Sequence, residues 1–592
     1  MFNSRLFLAL SLVVFVASYG EVNAQDFRTE VGHNELLDQM GAALEDGSTL
    51  QITQTEALNG AGFYIPDPSG AQYTGKTLID VSGNNGGGVS GHANTVASRF
   101  YGNTVGLARG ISTISFFDAN DWINNQTGLS SGGDPPAQLS PIQNHSWIAN
   151  GIPGGSAVNI LRRVDFMIDR DNSLVVAGAN NGAATDTPQI FGHGYNSISV
   201  GRTDGNHSRT DTAFNGAGRQ KPEIVAPGSA TSFATPIVSG VAAILYEAAA
   251  GTPAQESEVL KALMMGGATK KEFANWSRTF NRPIDDIYGF GEVNLYNSYR
   301  MLQGGETNGA TGQPTAAASL LGWDYEPAMG VNDSRFYTLN VTQPADEISI
   351  ALAWDIDITD ANSNPAIFTG LANLPGLDLA ILNSTNNFPG TVVDFSVSAV
   401  DNFEHVYLRD VQPGTYTIQV TSGSDTAEYA LAWRVGEFAN VPAVNVANVR
   451  GNLISGSTSD VAASDDSRMV FTPGFTLNDT EAPVWLELDA VSTSGHPSGL
   501  RFQLEANVST PGLEQTVEVF NELNGAFETV DAGPASFNVD QVVTHDFNGT
   551  EMFNFLDAND SLRAKLSWRQ VGFIINFPWE VRIDQAGWQV AE

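Results

Sequence analysis

The segment Ala230-Thr231-Ser232-Phe233-Ala234-Thr235-Pro236 is the most informative part of the chain, because it delivers a serine to the start of an apolar helix. Apolar residues then recur at helical spacing, at Ile237, Val238, Val241, Ile244, Leu245 and Ala248. The first N–H groups of a helix lack internal partners, so Pro236 is expected to be tolerated in the first turn. Those groups and the helix dipole favour an oxyanion beside the Ser232 hydroxyl. We therefore predict a serine nucleophile, the alternative being an ordinary Thr/Ser N-cap before a buried helix.

This segment resembles the serine motif of the subtilisin-like serine peptidases, the subtilases, which reads Gly-Thr-Ser-x-Ala-Thr-Pro. Ala230 replaces the glycine, and the other fixed positions match. Residues 221–228 resemble the family's stretch before the serine motif, and residues 288–294 resemble its closing segment. The resemblance covers residues 46 to about 302 and implies a peptidase fold with peptide or protein substrates.

The amino terminus predicts export. Arg5 precedes an apolar run over residues 6–17, and the small residues around Ala24 suit signal-peptide cleavage before Gln25. The run is too short to span a membrane, and no later stretch approaches the length required. We expect a secreted or periplasmic protein with a signal peptide over residues 1–24.

Composition excludes several classes of function. The 592 residues contain no cysteine, which rules out a cysteine protease or a thiolate zinc site. The formal net charge of −37 would repel nucleic-acid phosphates, so no nucleic-acid partner is expected. No cofactor is required for the predicted chemistry.

The pattern of predicted elements divides the mature chain. Strands alternate with helices up to about residue 302, which is typical of an α/β domain with a mostly parallel sheet flanked by helices. Residues 303–318 are rich in Gly, Thr, Ala and Gln and are predicted to form a linker. Short alternating strands then predict two all-β sandwich domains, at 319–440 and 441–592, after a peptidase domain at 25–302.

His92 is the predicted general base. A serine hydroxyl needs a base to take its proton, and a carboxylate must orient the imidazole. Residues 91–98 open a predicted helix and resemble the subtilase motif His-Gly-Thr-His-Val-Ala-Gly, with agreement at His92, Val96 and Ala97 only.

Two carboxylates compete for the role of the triad acid. Asp80 ends a predicted strand and its surroundings resemble the family's acid motif, but it precedes His92 by only twelve residues. Glu56 follows a glycine-then-strand lead-in and lies thirty-six residues before His92, which leaves room for another strand between them. We favour Glu56 and keep Asp80 as the alternative, while either could be a solvated carboxylate at a strand end.

The resemblance also implies an oxyanion donor and a substrate-lining strand. Residues 175–182 resemble the family segment whose asparagine side chain helps to bind the oxyanion, and the register selects Asn180, with Asn181 as the fallback. The backbone N–H of Ser232 would be the second donor. Residues 144–147 resemble the strand that lines the substrate cleft, which implies substrate contacts at Ser146 and Trp147.

One departure from the family concerns the leaving-group side of the cleft. Subtilases normally place a substantial loop before the serine motif, whereas Gly228 and Ser229 run directly into Ala230. We expect this side of the cleft to be reshaped or more open. Residues 25–46 are too few for a folded propeptide that assists folding.

The C-terminal half offers weaker predictions. Asp355, Asp357, Asp360, Asn362 and Asn364 could hold a structural Ca²⁺ ion, with Asp355, Asp357 and Asp378 as candidate ligands, but the EF-hand spacing fails and a solvated turn is the alternative. Tryptophans such as Trp579 and Trp588 could bind a cell-surface polymer if exposed, or fill a core if buried.

Together these features predict a secreted serine endopeptidase that works through Ser232, His92 and a carboxylate. The alternative is an inactive subtilase-like protein that acts as an extracellular binding or adhesion module, since a fold does not secure a function.

Overall fold

The computed structural model describes residues 26–591 except 271–272, 479–480, 496, 548, 558 and 572–576. The predicted signal peptide therefore lies outside the described residues. Among the residues described, no helix has the length and apolar character needed to cross a membrane.

The α-helices of the described residues lie between Phe27 and Gly304. They are α1 (Phe27–Glu30), α2 (His33–Met40), α3 (Gly91–Tyr101), α4 (Ala119–Asp121), α5 (Gly154–Asp171), α6 (Thr231–Ala248), α7 (Ser257–Gly267) and α8 (Leu295–Gly304). A π-helical turn, Trp122–Gln126, continues α4.

A seven-stranded parallel sheet forms the centre of this region. Its strands are β1 (Gln51–Glu56), β2 (Thr77–Asp80), β3 (Thr113–Asp118), β4 (Ile142–His145), β5 (Leu174–Gly178), β6 (Ile198–Arg202) and β9 (Ile224–Ala226). The strand order is β2-β3-β1-β4-β5-β6-β9, and β7 (Thr210–Asp211) and β8 (Gln220–Lys221) form a separate hairpin. Val175 and Ala177 of β5 pack towards α5, whereas Leu174 and Val176 pack into the core that contains α3, α6 and α7. Helices therefore cover both faces, which confirms the predicted α/β class.

A β-sandwich follows. One layer contains β10 (Leu321–Met329), β12 (Ala345–Ala353), β17 (Phe403–Val411) and the first part of β19 (Ala427–Pro442), and the other has the order β11-β18-β15-β16. The bounds of the remaining strands are β11 (Ser334–Val341), β13 (Asp357–Asp360), β14 (Gly370–Asn373), β15 (Leu377–Asn383), β16 (Thr391–Ser396) and β18 (Gly414–Ser422). Strands β13 and β14 pair as a hairpin outside the two layers.

A second sandwich completes the chain. One layer has the order β20-β23-β28-β25-β26, and the other contains β21, β22, β24, β27 and β29. The strands are β20 (Asn445–Arg450), β21 (Asn452–Ser455), β22 (Met469–Thr472), β23 (Val484–Val491), β24 (Gly499–Val508), β25 (Leu513–Asn521), β26 (Ala526–Pro534), β27 (Gln541–Phe547), β28 (Ser561–Gln570) and β29 (Val581–Ala591). The two predicted all-β regions are thus present as sandwiches.

The long strand β19 connects the two sandwiches. Its first part pairs with β12 and β10, and its last residues, Phe438–Pro442, pair with β29. The domain boundary predicted at residue 440 therefore falls inside one continuous strand. The predicted linker is also held against the first sandwich, since Ala310 exchanges backbone hydrogen bonds with Phe336 at 3.0 and 2.9 Å.

The parallel-sheet region and the first sandwich share one core. Trp323, Ala351, Phe403 and Ala432 of the sandwich belong to the same buried cluster as the apolar residues of α6 and α7. The Ser349 hydroxyl also donates to the Gly266 carbonyl of α7 at 2.9 Å. Burial against α7 thus accounts for an apolar outer face on a sheet that would otherwise face water.

The tryptophans near the chain end are core residues. Trp579 and Trp588 are each 1% exposed and lie in the core of the second sandwich. They are therefore not available to a surface polymer, and burial is the outcome between the two predicted alternatives.

Candidate active site

Three side chains predicted for catalysis come from three different elements at one edge of the parallel sheet. Glu56 is the last residue of β1, His92 is the second residue of α3, and Ser232 is the second residue of α6. The carboxyl ends of parallel strands and the amino ends of the following helices meet at the same edge, so residues distant in sequence come together there. The Ser90 hydroxyl caps α3 by accepting from the Ala93 N–H at 3.3 Å, which fixes where that helix begins.

Glu56 and His92 form a hydrogen-bonded pair. His92 Nδ1 lies 2.7 Å from Glu56 Oε2, and the Glu56 side chain is fully buried while His92 is partly exposed. Burial raises the pKa of Glu56, and the hydrogen bond from His92 opposes that rise. The hydrogen bond to Glu56 raises the pKa of His92 against the opposing effect of burial. A carboxylate at Nδ1 assigns the proton to that nitrogen and leaves Nε2 for the serine.

A second chain of hydrogen bonds supports the Glu56 carboxylate. Gln54 Nε2 donates to Glu56 Oε1 at 2.7 Å, and the Tyr101 hydroxyl donates to Gln54 Oε1 at 2.7 Å. Sequence reasoning missed both residues. The only available signal was that Gln54 and Glu56 stand two apart on one strand and so share a face.

Asp80 lies elsewhere. Its carboxylate accepts hydrogen bonds from the Tyr64 hydroxyl, from the Gly83 N–H at 2.8 Å and from the Asn85 N–H at 3.3 Å. It ends β2, an edge strand that β3 separates from β1. The structure therefore brings Glu56, rather than the alternative Asp80, to the imidazole.

Ser232 lies on a helix that packs against the helix of His92. Helix α6 packs on α3, and the Phe233 ring, one residue after the serine, lies 5.8 Å from the His92 ring between centroids. Ser232 is partly exposed. Within the described residues its hydroxyl forms no hydrogen bond. An unbonded serine hydroxyl is common in substrate-free sites, because catalytic hydrogen bonds often shorten only when substrate binds.

Pro236 occupies a different helical position from the one predicted. Since α6 begins at Thr231, Pro236 is the sixth helical residue rather than part of the first turn. Its missing N–H would have bonded to the carbonyl four residues earlier, which is that of Ser232. The carbonyl of Ser232 therefore lacks the helical hydrogen bond that a residue with an N–H at position 236 would donate to it.

The amide next to the serine is Asn181. Asn181 Oδ1 accepts a hydrogen bond from the Thr231 N–H at 2.9 Å, so its side chain contacts the first turn of α6. Asn180, which the register selected, instead donates from Nδ2 to the Asp186 carbonyl at 3.4 Å, and its backbone N–H donates to the Ser208 hydroxyl at 2.9 Å. The side chains of Asn180 and Asn181 thus point to different partners just after β5. A shift of one residue in the sequence alignment therefore changes which of the two amides contacts α6.

The side chains of Ser146 and Trp147 are buried. The Ser146 hydroxyl accepts from Asn144 Nδ2 at 3.0 Å, and Asn144 Oδ1 accepts from the Ser239 hydroxyl of α6 at 3.0 Å. The Trp147 ring packs against Phe191 with centroids 5.4 Å apart. These side chains hold β4 to its neighbours, so the structure does not place either of them for the predicted contact with substrate.

His145 is packed in the same aromatic cluster. Its ring lies 4.5 Å from Trp122 and 5.1 Å from Phe191, and burial lowers its pKa to about 3. The ring is therefore neutral at physiological pH and is not a second base.

A cleft of about 920 Å³ is lined in part by Asn180. Its walls include Asn150, Asp186, Gln189, His193, Arg209 and Phe214. Burial lowers the pKa of His193 to about 4, and its Nδ1 accepts from the Ala213 N–H at 3.1 Å, so this imidazole is a neutral part of the wall.

The candidate calcium ligands do not form a common site. Asp355 is buried 3.6 Å from Lys261 Nζ, Asp357 accepts from Asn373 Nδ2 at 3.4 Å on a separate hairpin, and Asp378 is an exposed residue of β15. Among the residues that the structure describes, no three His, Cys, Asp or Glu side chains are arranged to share a metal ion. A structural Ca²⁺ ion thus stays a prediction without support from these residues.

A buried acid hydrogen-bonded to an imidazole, beside a serine at a helix start, is the arrangement expected of a serine hydrolase. The family comparison agrees with this class. Residues 51–291 match the family model described as Peptidase_S8, the subtilase family. This match supports a serine protease.

Solved structures that resemble the protein include proteases. Fervidolysin from Fervidobacterium pennivorans, described as a keratinolytic enzyme related to subtilisin, has 12% identity and a TM-score of 0.31, with coverage of 96% of this chain and 78% of that chain. A protease from Pseudoalteromonas arctica has 14% identity and a TM-score of 0.28, with coverage of 43% of this chain and 90% of that chain. These likenesses are too distant to add to what the family match shows.

Proposed function

We propose that the protein is a secreted serine endopeptidase in which Ser232 is the nucleophile, His92 the general base and Glu56 the orienting acid. The hydrogen bond of 2.7 Å between the buried Glu56 and His92, whose helix packs on the helix that carries Ser232 in its first turn, is the observation that carries the proposal. Sequence position favoured Glu56 and kept Asp80 as the alternative.

The reaction follows from the positions of these groups. His92 Nε2 takes the Ser232 hydroxyl proton as Oγ attacks the scissile carbonyl, and Glu56 stabilises the resulting imidazolium through Nδ1–H. The imidazolium then gives its proton to the leaving amine as the C–N bond breaks, which leaves an acyl-enzyme. Water, deprotonated by His92, hydrolyses the ester and restores the serine.

The developing oxyanion needs preorganised donors. The backbone N–H of Ser232 is one, at the N-terminal end of α6. We assign the second to Asn181 Nδ2 rather than to Asn180, because the hydrogen bond of Asn181 Oδ1 to Thr231 fixes this amide against the first turn. The hydrogen bond of Asn180 Nδ2 to the Asp186 carbonyl directs that amide towards the 920 Å³ cleft instead.

Secretion is the localisation that the amino-terminal sequence favours. The test is expression of the full chain in a bacterium, with amino-terminal sequencing of the exported protein. A mature terminus at Gln25 is expected, and retention of the uncleaved chain in the cytoplasm would contradict export.

The activity is tested with purified protein and its Ser232→Ala variant. We expect a fluorophosphonate probe to label the protein at Ser232, and casein hydrolysis to be lost in the variant. If folded protein is neither labelled nor active, while it binds a cell-surface polymer, the binding or adhesion alternative replaces the peptidase.

A further inference from the structure

A stack of four side chains extends from the base to the amino-terminal segment. The Phe233 ring packs on His92 at 5.8 Å, the Arg99 guanidinium lies 5.7 Å from the centre of the Phe233 ring, and the same guanidinium lies 5.4 Å from the centre of the Phe27 ring. Arg99 and His92 are both on α3, seven residues apart, and therefore on one face of the helix. The guanidinium is held in place by aromatic faces rather than by an anion.

Arg99 has no carboxylate partner in the described part of the chain. Most other arginines of the peptidase region donate to a carboxylate or a carbonyl, as Arg202 does to Asp204 and to the Gly228 carbonyl. An arginine carries five N–H donors that favour a planar, bidentate acceptor. Arg99 is therefore positioned and partly desolvated, with its donors available to a ligand.

Arg99 lines a cleft of about 620 Å³. The same cleft is lined by Thr95 and Ser98 of α3 and by Pro227, Gly228 and Ser229 of the segment before the serine. This is the segment in which the loop expected of the family is missing. The cleft is therefore open where the sequence predicted a reshaped surface.

In the family that the serine motif resembles, the loop that is missing here lies on the leaving-group side, so the cleft is assigned to that side. The imidazole protonates the leaving amine, so the polypeptide after the scissile bond departs past His92. The larger cleft is lined instead by Asn180 and contains neither Arg99 nor Phe233 in its lining. Arg99 is the cation of the stack that begins at His92.

Two acidic residues, Asp26 and Glu30, also line this cleft. Asp26 is neutralised by Arg28, whose Nε donates to Asp26 Oδ2 at 2.8 Å. Glu30 is the last residue of α1, the helix that begins with Phe27. Arg99 is the charged residue of this lining that contacts the Phe233 ring, which in turn packs on His92.

We propose that Arg99 binds a carboxylate of the leaving segment and makes the enzyme prefer substrates that carry one. The inference rests on the proposed function. The two stacking contacts place the guanidinium within about 12 Å of the imidazole, a distance that an extended chain spans in about two to four residues. The carboxylate can be an acidic side chain at these positions or the carboxyl terminus of a short substrate.

Matched peptides test the proposal. Quenched fluorogenic peptides share one acyl half, and the leaving half carries Glu or Gln at each of the first four positions in turn. A second pair ends three residues after the scissile bond, as the free acid or the amide. We expect kcat/KM to be at least about tenfold higher for one acidic member than for its neutral partner, as a charge-assisted hydrogen bond would give. The Glu series and the terminal pair separate the two sources of carboxylate.

Arg99→Gln should abolish this preference, and Arg99→Lys should restore only part of it, because lysine lacks the planar fork. Hydrolysis of the neutral peptides should fall less than that of the acidic peptides. Arg569→Gln, which removes the same charge from an exposed pair with Glu514 in the last sandwich, is the matched control and should keep the preference. An equal loss for acidic and neutral peptides in Arg99→Gln would overturn the proposal, since it would show that Arg99 only braces Phe233 and His92.

A binding measurement separates this inference from the proposed function. Fluorescence anisotropy with the leaving-half peptides and the Ser232→Ala variant measures peptide binding without hydrolysis. Tighter binding of the acidic peptide that depends on Arg99 supports the inference even if no peptide is cleaved. Equal binding of acidic and neutral peptides contradicts it even if the enzyme is active.

Discussion

Glu56 is a fully buried carboxylate whose ionised form depends on two hydrogen-bond partners. Burial penalises its ionised form, while His92 and Gln54 supply the two hydrogen bonds that stabilise it. Removing the charge should therefore disturb the imidazole more than the fold, because an amide of the same size can still fill the space.

Glu56→Gln is expected to lower kcat by about 10⁴-fold, since a glutamine can stabilise the wrong imidazole tautomer and cannot stabilise the imidazolium. Asp80→Asn is the matched control, and its kcat should stay within a few-fold of wild type, because Asp80 contacts Tyr64 and loop N–H groups instead. Steady-state kinetics on one peptide measures both. The reverse ranking would return the acid role to Asp80.

The pH dependence of kcat/KM reports the same pair. The hydrogen bond to Glu56 raises the pKa of His92 above its ordinary value of about 6.5. The base must be neutral, so activity should be lost as the pH falls through this raised pKa. The acid limb should therefore lie above pH 6.5 in wild type and move to lower pH in Glu56→Gln. If the acid limb of the pH profile lies at the same pH in Glu56→Gln and in wild type, Glu56 does not set the pKa of His92.

The two neighbouring asparagines should differ in their effects. Asn181→Ala should lower kcat by about 10²- to 10³-fold with little change in KM, because an oxyanion donor acts mainly in the transition state. Asn180→Ala removes an amide directed to the Asp186 carbonyl and should leave kcat within a few-fold of wild type. Single-turnover kinetics on an ester substrate compares the two variants. A larger loss of rate in Asn180→Ala would return the role of oxyanion donor to Asn180.

At the scale of elements, the site depends on how closely α6 approaches the end of β5. A Cβ atom added at Gly178 would lie 2.9 Å from Thr235 Oγ1 and 3.6 Å from the Thr231 backbone, so this glycine allows the helix start to touch the strand. The contact sets the distance between the Ser232 turn and the amides that follow β5.

Gly178→Ala should therefore push α6 away, lower the free energy of unfolding by about 1–3 kcal/mol and reduce kcat. Gly155→Ala is the control: its added methyl group meets no atom within 4 Å, and alanine favours the helix, so stability should be kept or slightly increased. Chemical denaturation with activity assays distinguishes them. Unchanged stability and turnover in Gly178→Ala would show that the site does not depend on the close contact between α6 and the end of β5.

At the scale of the whole molecule, the hydrophobic core of the peptidase region includes residues of the first sandwich. Trp323, Ala351, Phe403 and Ala432 of the first sandwich complete the cluster around α7, and Ser349 bonds to the Gly266 carbonyl. Exposing apolar surface costs about 25 cal/mol per Å², so removal of the sandwich should destabilise the catalytic half.

A truncated chain of residues 26–318 should therefore unfold at a clearly lower temperature than the mature chain, or aggregate, and should lose activity with it. Thermal unfolding followed by circular dichroism and by fluorophosphonate labelling measures both properties. A truncated chain with the same unfolding temperature and the same labelling would show that the shared core adds no stability.

The sequence by itself determined the elements and the chemistry-bearing residues. Hydrophobic periodicity is a local property, so the α/β region, the two all-β regions and the serine at the start of α6 could be predicted from it. The candidates Glu56, His92 and Ser232 could be named because their residue types and surroundings carry the signal.

Only the tertiary structure decided which candidates meet. Spacing along the chain does not give strand order, and the insertion of β3 between β2 and β1 is what separates Asp80 from His92. A one-residue offset after β5 likewise turned Asn181, not Asn180, towards the serine helix, and packing buried Trp147 and Trp588. These outcomes depend on contacts between residues far apart in sequence, and such contacts exist only once the sheet, its helices and the first sandwich have packed into one core.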